Sequence, residues 1–557
     1  MIERDGRDLD TGGMSDLEGL QIDTLYDYAG FLRQGPIAET GTVAGGDVAV
    51  VGAGIGGLCA GFELLKAGAN PVIFEAQDRI GGRNRTDRFH DRDGAPASAF
   101  ADMGAMRFPA SASAFRHYAN DLFALDMANV FPDPGLVPTL LSYRGNAYSW
   151  TNRDPANPPG PFGRIARDWE AFISPIVADA VACRRRGDAE GLIRAWQHCL
   201  ECYAHDSLYS AIARGMPHWT SEDLGIFGSL GIGAGGYGAL YHIGFVEFLR
   251  IIVNDYHRNQ ASLLGGADAL NRAFADTLVD TPLGRRSLSG SGAINRRHRV
   301  IGIGPDNADR LVLAIEPPDG NVIYRSFKAV IIATTTRAMQ LLLMTGGVGG
   351  YDTYFNGSKY FALQNLNMIE SSKMFIRTEQ KFWKIHHNIP HNIQSDAMSR
   401  GVYCIDNPGT ENGVVLLSYA WGADSVKMQS FDPMRRFEMV RGYIDRISPQ
   451  FAEHLVPVNG EIKAVDWQSE SDHMGAFKLM LPGQDVDNAG LYFQFQKAGT
   501  AHDDGIYLAG DGISWSGGWA EGALHTGINA ACAVIRRLGG RLRPGSPMEQ
   551  CRIFDYR

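Results

Sequence analysis

Val48-Ala49-Val50-Val51-Gly52-Ala53-Gly54-Ile55-Gly56-Gly57 is the stretch on which the fold turns. The four apolar residues read as a buried parallel strand, bounded upstream by Gly45-Gly46-Asp47. Leu58, Phe62 and Leu65 then recur at helical spacing, and Gly68 stops the helix. A second apolar strand, Pro71-Val72-Ile73-Phe74, ends at Glu75. This is a βαβ unit with G-x-G-x-x-G at its first turn. Gly52 permits the tight turn, Gly54 lets a pyrophosphate approach the backbone, and Gly57 lets the helix pack close to the strand. The helix N-terminus offers unpaired N–H groups to phosphates, and Glu75 is placed to accept hydrogen bonds from the adenosine ribose. A lone glycine motif is weak. Strand, helix, second strand and terminal acid together predict a Rossmann-like, dinucleotide-binding α/β domain.

Working outward, glycine is in excess: 67 of 557 residues, against a usual share of about 7%. The glycines cluster at 52–82, 228–238 and 510–527. At roughly 150 residues per domain the length suits three to four units or one large two-lobed enzyme. With 45% hydrophobic and 20% charged residues the chain can bury a large core. A net charge of −10, without basic blocks, argues against nucleic acid as a partner. Seven cysteines are too few and odd in number for a disulfide scaffold. The charged start, Met1-Ile2-Glu3-Arg4-Asp5, has no secretory h-region, and no apolar run is long enough to span a membrane. A cytoplasmic enzyme, as a homodimer or other homo-oligomer, is expected.

Further motifs narrow the cofactor. Arg79-Ile80-Gly81-Gly82-Arg83 follows the second strand directly, and a nicotinamide enzyme has no need of it. It resembles the R-x-G-G-R run of the flavin amine oxidase superfamily, which holds FAD. Ala509-Gly510-Asp511 resembles that superfamily's second FAD motif, and Gly517-Gly518-Trp519-Ala520-Glu521 runs from it into the last helix. Ala101-Asp102-Met103-Gly104-Ala105-Met106-Arg107-Phe108-Pro109 is similar to the segment beside the flavin in the tryptophan 2-monooxygenase family. So are Leu25-Tyr26-Asp27-Tyr28, Phe131-Pro132-Asp133-Pro134-Gly135 and Phe227-Gly228-Ser229-Leu230-Gly231. The resemblance continues through Arg337-Ala338-Met339-Gln340, Gly401-Val402-Tyr403-Cys404 and Gly475-Ala476-Phe477-Lys478. It runs from about residue 22 onward and extends more loosely to L-amino-acid oxidases and lysine-acting relatives.

The resemblance implies non-covalent FAD, O2 as co-substrate and an L-amino acid substrate. Gly52, Gly54, Gly57, Glu75, Gly82, Arg83, Gly104, Ala105, Met106, Arg107, Ile294, Gly510, Asp511 and Trp519 would hold the flavin. Arg107 matches the arginine that pairs with the substrate carboxylate, a role suited to a planar guanidinium fork. Lys373 matches the lysine that holds a water near flavin N5. It lies on an expected strand, in Ser371-Ser372-Lys373-Met374-Phe375, so its side chain points inward or into a cavity. Tyr237, Tyr419, Trp467 and Trp519 match aromatic positions around the substrate. The implied reaction is hydride transfer from Cα, and the resemblance favours oxidative decarboxylation to an amide (indole-3-acetamide from tryptophan) over the alternative, release of a 2-oxo acid, ammonia and peroxide. Tyr237 stands where the family has phenylalanine, and Gly238-Ala239-Leu240-Tyr241-His242-Ile243 departs too. That loop has no carboxylate, which favours an aromatic or apolar amino acid over a basic one.

The expected architecture is two-lobed. An FAD-binding domain comprises 44–112, 240–345 and 487–540. A substrate domain has a helical part, 113–239, and a sheet part, 346–486. Residues 1–43 form a lead and 541–557 a tail. Cys199-Leu200-Glu201-Cys202 lies in a helical stretch without a second ligand pair, so no metal is expected. Arg184-Arg185-Arg186 reads as a solvated loop, and no G-x-S-x-G nucleophile turn is present.

Overall fold

The computed structural model describes residues 26–39, 41–43, 45–230, 236–307, 309–344 and 357–549. Parts of the lead and tail, Leu25, and Gly231, Gly233 and Gly235 of the middle glycine cluster lie outside the described residues. At the centre is a five-stranded sheet in the order Ile294–Arg296, Asn70–Glu75, Asp47–Val51, Ala329–Ile332, Ile506–Leu508. Every pair in it is parallel. Covered on both faces, its inner strands are continuously apolar: Val48 to Val51 and Ala329 to Ile332 are all buried. The expected G-x-G-x-x-G helix spans Ile55–Ala67 and ends on Gly68 in a left-handed conformation at φ 94°.

The last helix, Ala520–Arg537, packs along this first helix. The contact is made backbone to backbone. A Cβ on Gly56 would lie 3.0 Å from the Ala523 carbonyl oxygen, and one on Gly527 would lie 2.6 Å from that of Gly56. Glu521, at the start of the last helix, accepts hydrogen bonds from the amides of Ala114 (2.8 Å) and Phe115 (2.6 Å). It thereby caps the short helix Ser113–Arg116 from across the molecule.

A seven-stranded sheet forms the second layer. Its order is Ile462–Asp466, Ser371–Thr378, Gly413–Trp421, Gly401–Ile405, Asn392–Ser395, Thr139–Tyr143, Asn146–Trp150. The segment expected as the helical part, 113–239, also supplies a hairpin to this sheet. Its helices, Pro161–Arg185, Ala189–Tyr203, Leu208–Gly215 and Ser221–Ser229, follow that hairpin. Arg184, expected in a solvated loop, is instead buried at the end of the first of these, where Nη1 donates to the Val253 carbonyl at 2.8 Å. Cys199 and Cys202 lie on the second, one buried and one exposed, and both are free thiols. Met374 and Ile376 pack into the core beneath the helix Pro433–Ile447, with Phe437, Val440 and Ile444. Strand alternation therefore turns Lys373 and Phe375 toward the other side, where the central sheet lies.

The helix Phe245–Val253 carries a fully buried ionic cluster. Arg250 pairs with Glu247 at 3.1 Å and Asp485 at 2.6 Å, while Lys478 reaches Glu247 at 3.3 Å. The Arg250 guanidinium also lies 4.7 Å from the Trp515 ring centre. Two cations and two anions neutralise one another there. Removing Glu247 leaves two buried cations on one carboxylate. Glu247→Leu is expected to cost about 3–5 kcal/mol of stability, read as a lower urea midpoint; an unchanged midpoint would contradict this account of the cluster.

Candidate active site

One continuous cavity of about 460 Å³ runs from the glycine turn to the seven-stranded sheet. Gly52, Gly54, Glu75, Gly82 and Arg83 line one end, and Lys373, Tyr419, Trp467 and Trp519 the other. Gly52, at φ 102°, makes the turn out of the strand, and a Cβ there would lie 2.8 Å from the Ala333 carbonyl oxygen. On Gly57 a Cβ would run into the Gly52 carbonyl. Gly54 is different: a Cβ there would enter open space. That space is the cavity, and the helix behind it has no side chain capping its N-terminus. Its first N–H groups are thus left for a ligand.

The two Glu75 oxygens accept from the amides of Ala53 and Gln77, each at 2.8 Å. Burial raises its pKa, and these two amides oppose the rise. Arg83 pairs with Asp511 through both guanidinium nitrogens and donates to the Ala476 carbonyl at 2.6 Å. One pair thereby joins the R-x-G-G-R run to the late glycine cluster. Gly518 donates to the same carboxylate at 3.2 Å. His473 lines the cavity with Nδ1 buried and without a hydrogen-bond partner among the described residues. Burial, then Arg83 and Arg79, lower its pKa to about 3, so the ring is neutral. An open glycine cradle, an uncapped helix start and an orphaned ring nitrogen all suit a phosphate-bearing, ring-containing cofactor.

At the other end Lys373 stands opposite Tyr419 in the strand pairing, its ammonium 4.7 Å from the Tyr419 ring centre. Nζ donates to the carbonyls of Asp102 (3.1 Å) and Gly104 (2.5 Å). Its pKa falls to about 7: burial lowers it most, Asp102 raises it, and Arg107 lowers it again. The segment bearing those carbonyls is held close. A Cβ on Gly104 would overlap the Arg83 carbonyl, and Trp467 donates from Nε1 to the Met103 carbonyl at 3.1 Å. Ala105, Met106 and Arg107 follow along the wall. The Arg107 guanidinium lies 5.0 Å from the Phe131 ring centre and 3.5 Å from Asp133.

Most of the residues singled out in the sequence meet in this cavity. Gly57 and Ile294 do not line it: the first supports the turn, and the second pairs with Ile73 at the strand edge. Tyr237 is not in the lining either. Its ring stacks on Phe227 at 4.6 Å and meets Phe248 edge-on at 5.5 Å, while Leu240 of the same turn reaches the cavity. The aromatic wall includes two residues not expected, Trp421 and Phe477, whose rings meet edge-on at 5.5 Å. Trp421 lies two residues beyond Tyr419, hence on the same face of the strand. That spacing was the available signal. No group of His, Cys, Asp and Glu among the described residues is arranged to hold a metal. No described helix is long and apolar enough to cross a membrane.

Comparison with known proteins agrees with this geometry. Residues 55–535 match the family model of flavin containing amine oxidoreductases. The tryptophan 2-monooxygenase of Pseudomonas savastanoi is 37% identical, over 96% of this chain and 98% of its own. That of Pantoea agglomerans pv. gypsophilae is 37% identical over the same shares. Among solved structures, a putrescine oxidase variant superposes with a TM-score of 0.67, covering 89% of this chain and 99% of its own at 17% identity. That likeness speaks for the fold. The chain therefore belongs to the flavin containing amine oxidoreductase family, on its tryptophan 2-monooxygenase branch.

Proposed function

We propose that this protein is an FAD-dependent L-tryptophan 2-monooxygenase, converting L-tryptophan and O2 to indole-3-acetamide, CO2 and water. The observation that carries the reading is the joining, in one cavity, of a dinucleotide cradle to a wall of Lys373, Arg107 and five aromatic rings. Gly52, Gly54, Glu75, Gly82, Arg83 and Asp511 would hold FAD without a covalent bond. The bound flavin supplies a two-electron acceptor for the Cα hydride and a route for those electrons to O2.

The chain's own part is positioning. Arg107 takes the substrate carboxylate with a two-pronged, charge-assisted hydrogen bond. Tyr419, Trp421, Trp467, Phe477 and Trp519 offer ring faces and edges to an indole. The carboxylates of the lining, Glu75, Asp472 and Asp511, belong to its cofactor end, and Asp511 is already paired with Arg83. Among the described lining residues a cationic side chain would find no carboxylate at the aromatic end. The amide outcome requires that the imino acid stay in this cavity until it meets the peroxide and loses CO2. Neutral Lys373 has two N–H groups and one lone pair. Both N–H groups are engaged by the Asp102 and Gly104 carbonyls, so the lone pair is left to orient a water. Protonation removes that lone pair.

Five outcomes are expected. Purified protein incubated with tryptophan should yield indole-3-acetamide by mass spectrometry; only 2-oxo acid with stoichiometric peroxide would overturn the monooxygenase reading in favour of an oxidase. Gly54→Val fills the cradle and should give a folded protein lacking flavin absorbance. Arg107→Ala should raise the KM for tryptophan at least thirtyfold, since losing a buried charged partner costs about 2–5 kcal/mol; an unchanged KM removes Arg107 from the carboxylate site. Because the active form of Lys373 is the neutral one, kcat should rise with pH through about 7. Lys373→Met should lower kcat and abolish that limb, and a limb persisting in the variant would assign it elsewhere.

A further inference from the structure

The motif Phe131-Pro132-Asp133-Pro134-Gly135 contains a carboxylate that the reaction scheme leaves unused. The Asp133 side chain is only 15% exposed, and among the described residues its partner is Arg107 Nη1 at 3.5 Å. A buried carboxylate ordinarily gathers several donors. This one faces the guanidinium assigned above to the substrate carboxylate, and the inference rests on that assignment. Asp133 cannot easily swing aside. Proline on each side fixes the flanking φ angles, the Asp133 amide donates to the Phe131 carbonyl at 2.7 Å, and Asn392 donates to the Pro132 carbonyl. The Phe131 ring, under the guanidinium, packs at 5.6 Å against Tyr403.

We propose that Asp133 is the resident counter-ion of Arg107, and that it takes up a proton from solvent when a substrate carboxylate claims the guanidinium. Two carboxylates on one buried cation would leave a net negative charge in a low-dielectric site, so one of them is neutralised. The protein's own carboxylate is the one already poised. Its pKa is near 6, raised by burial and held down by Arg107, so any loss of that pairing lifts it further. The other groups facing this corner do not take the role. Tyr403, raised by burial and hydrogen-bonded by Gln394 at 2.7 Å, stays neutral. Lys373 and Tyr419 lie beyond Arg107, and Lys373 is the one that can also gain a proton. The exchange makes and breaks no bond in the substrate. It lets Arg107 remain ion-paired in both states, and Asp133 acts as a positioning residue.

The test uses flavin-loaded protein and 3-(indol-3-yl)propionate, which has the carboxylate and the indole but no amine proton to confuse the count. Calorimetric titration at pH 7 in buffers of different ionisation enthalpy should show uptake of close to one proton per ligand. Affinity should weaken about tenfold per pH unit above pH 6. Asp133→Asn should abolish both the uptake and the slope, while Lys373→Met keeps them. Absence of uptake by the unaltered protein would overturn the proposal, whether or not the Asn variant folds. So would equal uptake in Asp133→Asn, or uptake lost in Lys373→Met alone. Failure of the underlying assignment looks different: Arg107→Ala would then bind the propionate as well as the unaltered protein.

Discussion

The close approach of two helices at glycine is the constraint on which this molecule depends. Gly56 and Gly527 bring backbone against backbone, so that the first and last helices cover the same face of the central sheet. Gly510 enters the same contact, its amide nitrogen 3.2 Å from where a Cβ on Gly56 would stand. This contact places Asp511 within reach of Arg83, and Trp519 and the start of the last helix beside the cavity. A single added methyl would push apart the two halves of the flavin cradle. The glycine excess of the composition is thus a demand for contact distance at a few junctions.

Against that frame the site manages charge by pairing inside a poorly solvated space. Lys373 is held by two carbonyls and stands over an aromatic ring, Arg107 lies over Phe131 and faces Asp133, and Arg83 is matched by Asp511. Burial dominates the titration of both Lys373 and Asp133, and neighbouring charges only moderate it. Both come to rest near neutral pH, where a small change in surroundings shifts the proton.

The nucleotide half of the site was legible from sequence because its chemistry is local. The turn, the helix start, Glu75 and the R-x-G-G-R run all fall within residues 47–83, and each has a backbone reason to be where it is. The substrate half comes from strands and loops that meet only in three dimensions. Lys373 was legible through its strand, where alternation turns the apolar Met374 and Ile376 to the opposite face. Trp421 and Phe477 were not, because aromatic residues on buried strands read as core until the cavity beside them is seen. Tyr237 shows the converse. Matched by position to the substrate wall, it packs on Phe227 and Phe248, and Leu240 of the same turn faces the cavity. The hairpin Thr139–Trp150 joins a sheet whose other strands begin beyond residue 370, a pairing that local periodicity does not encode.

The order of strands in the central sheet also bears on how the protein is made. Asp47–Val51 pairs with Ala329–Ile332, which pairs with Ile506–Leu508, and the helix that closes the cradle begins at Ala520. A nascent chain that has displayed its glycine turn must therefore wait through more than four hundred further residues before the cavity exists. During synthesis the apolar first strand and helix have their near neighbour, Asn70–Glu75, but their later partners only once the rest of the chain has been made. Binding of a cofactor in that cavity consequently requires both of these distant segments to be in place. It ties together the earliest and latest segments of the chain at once and stabilises only the finished fold.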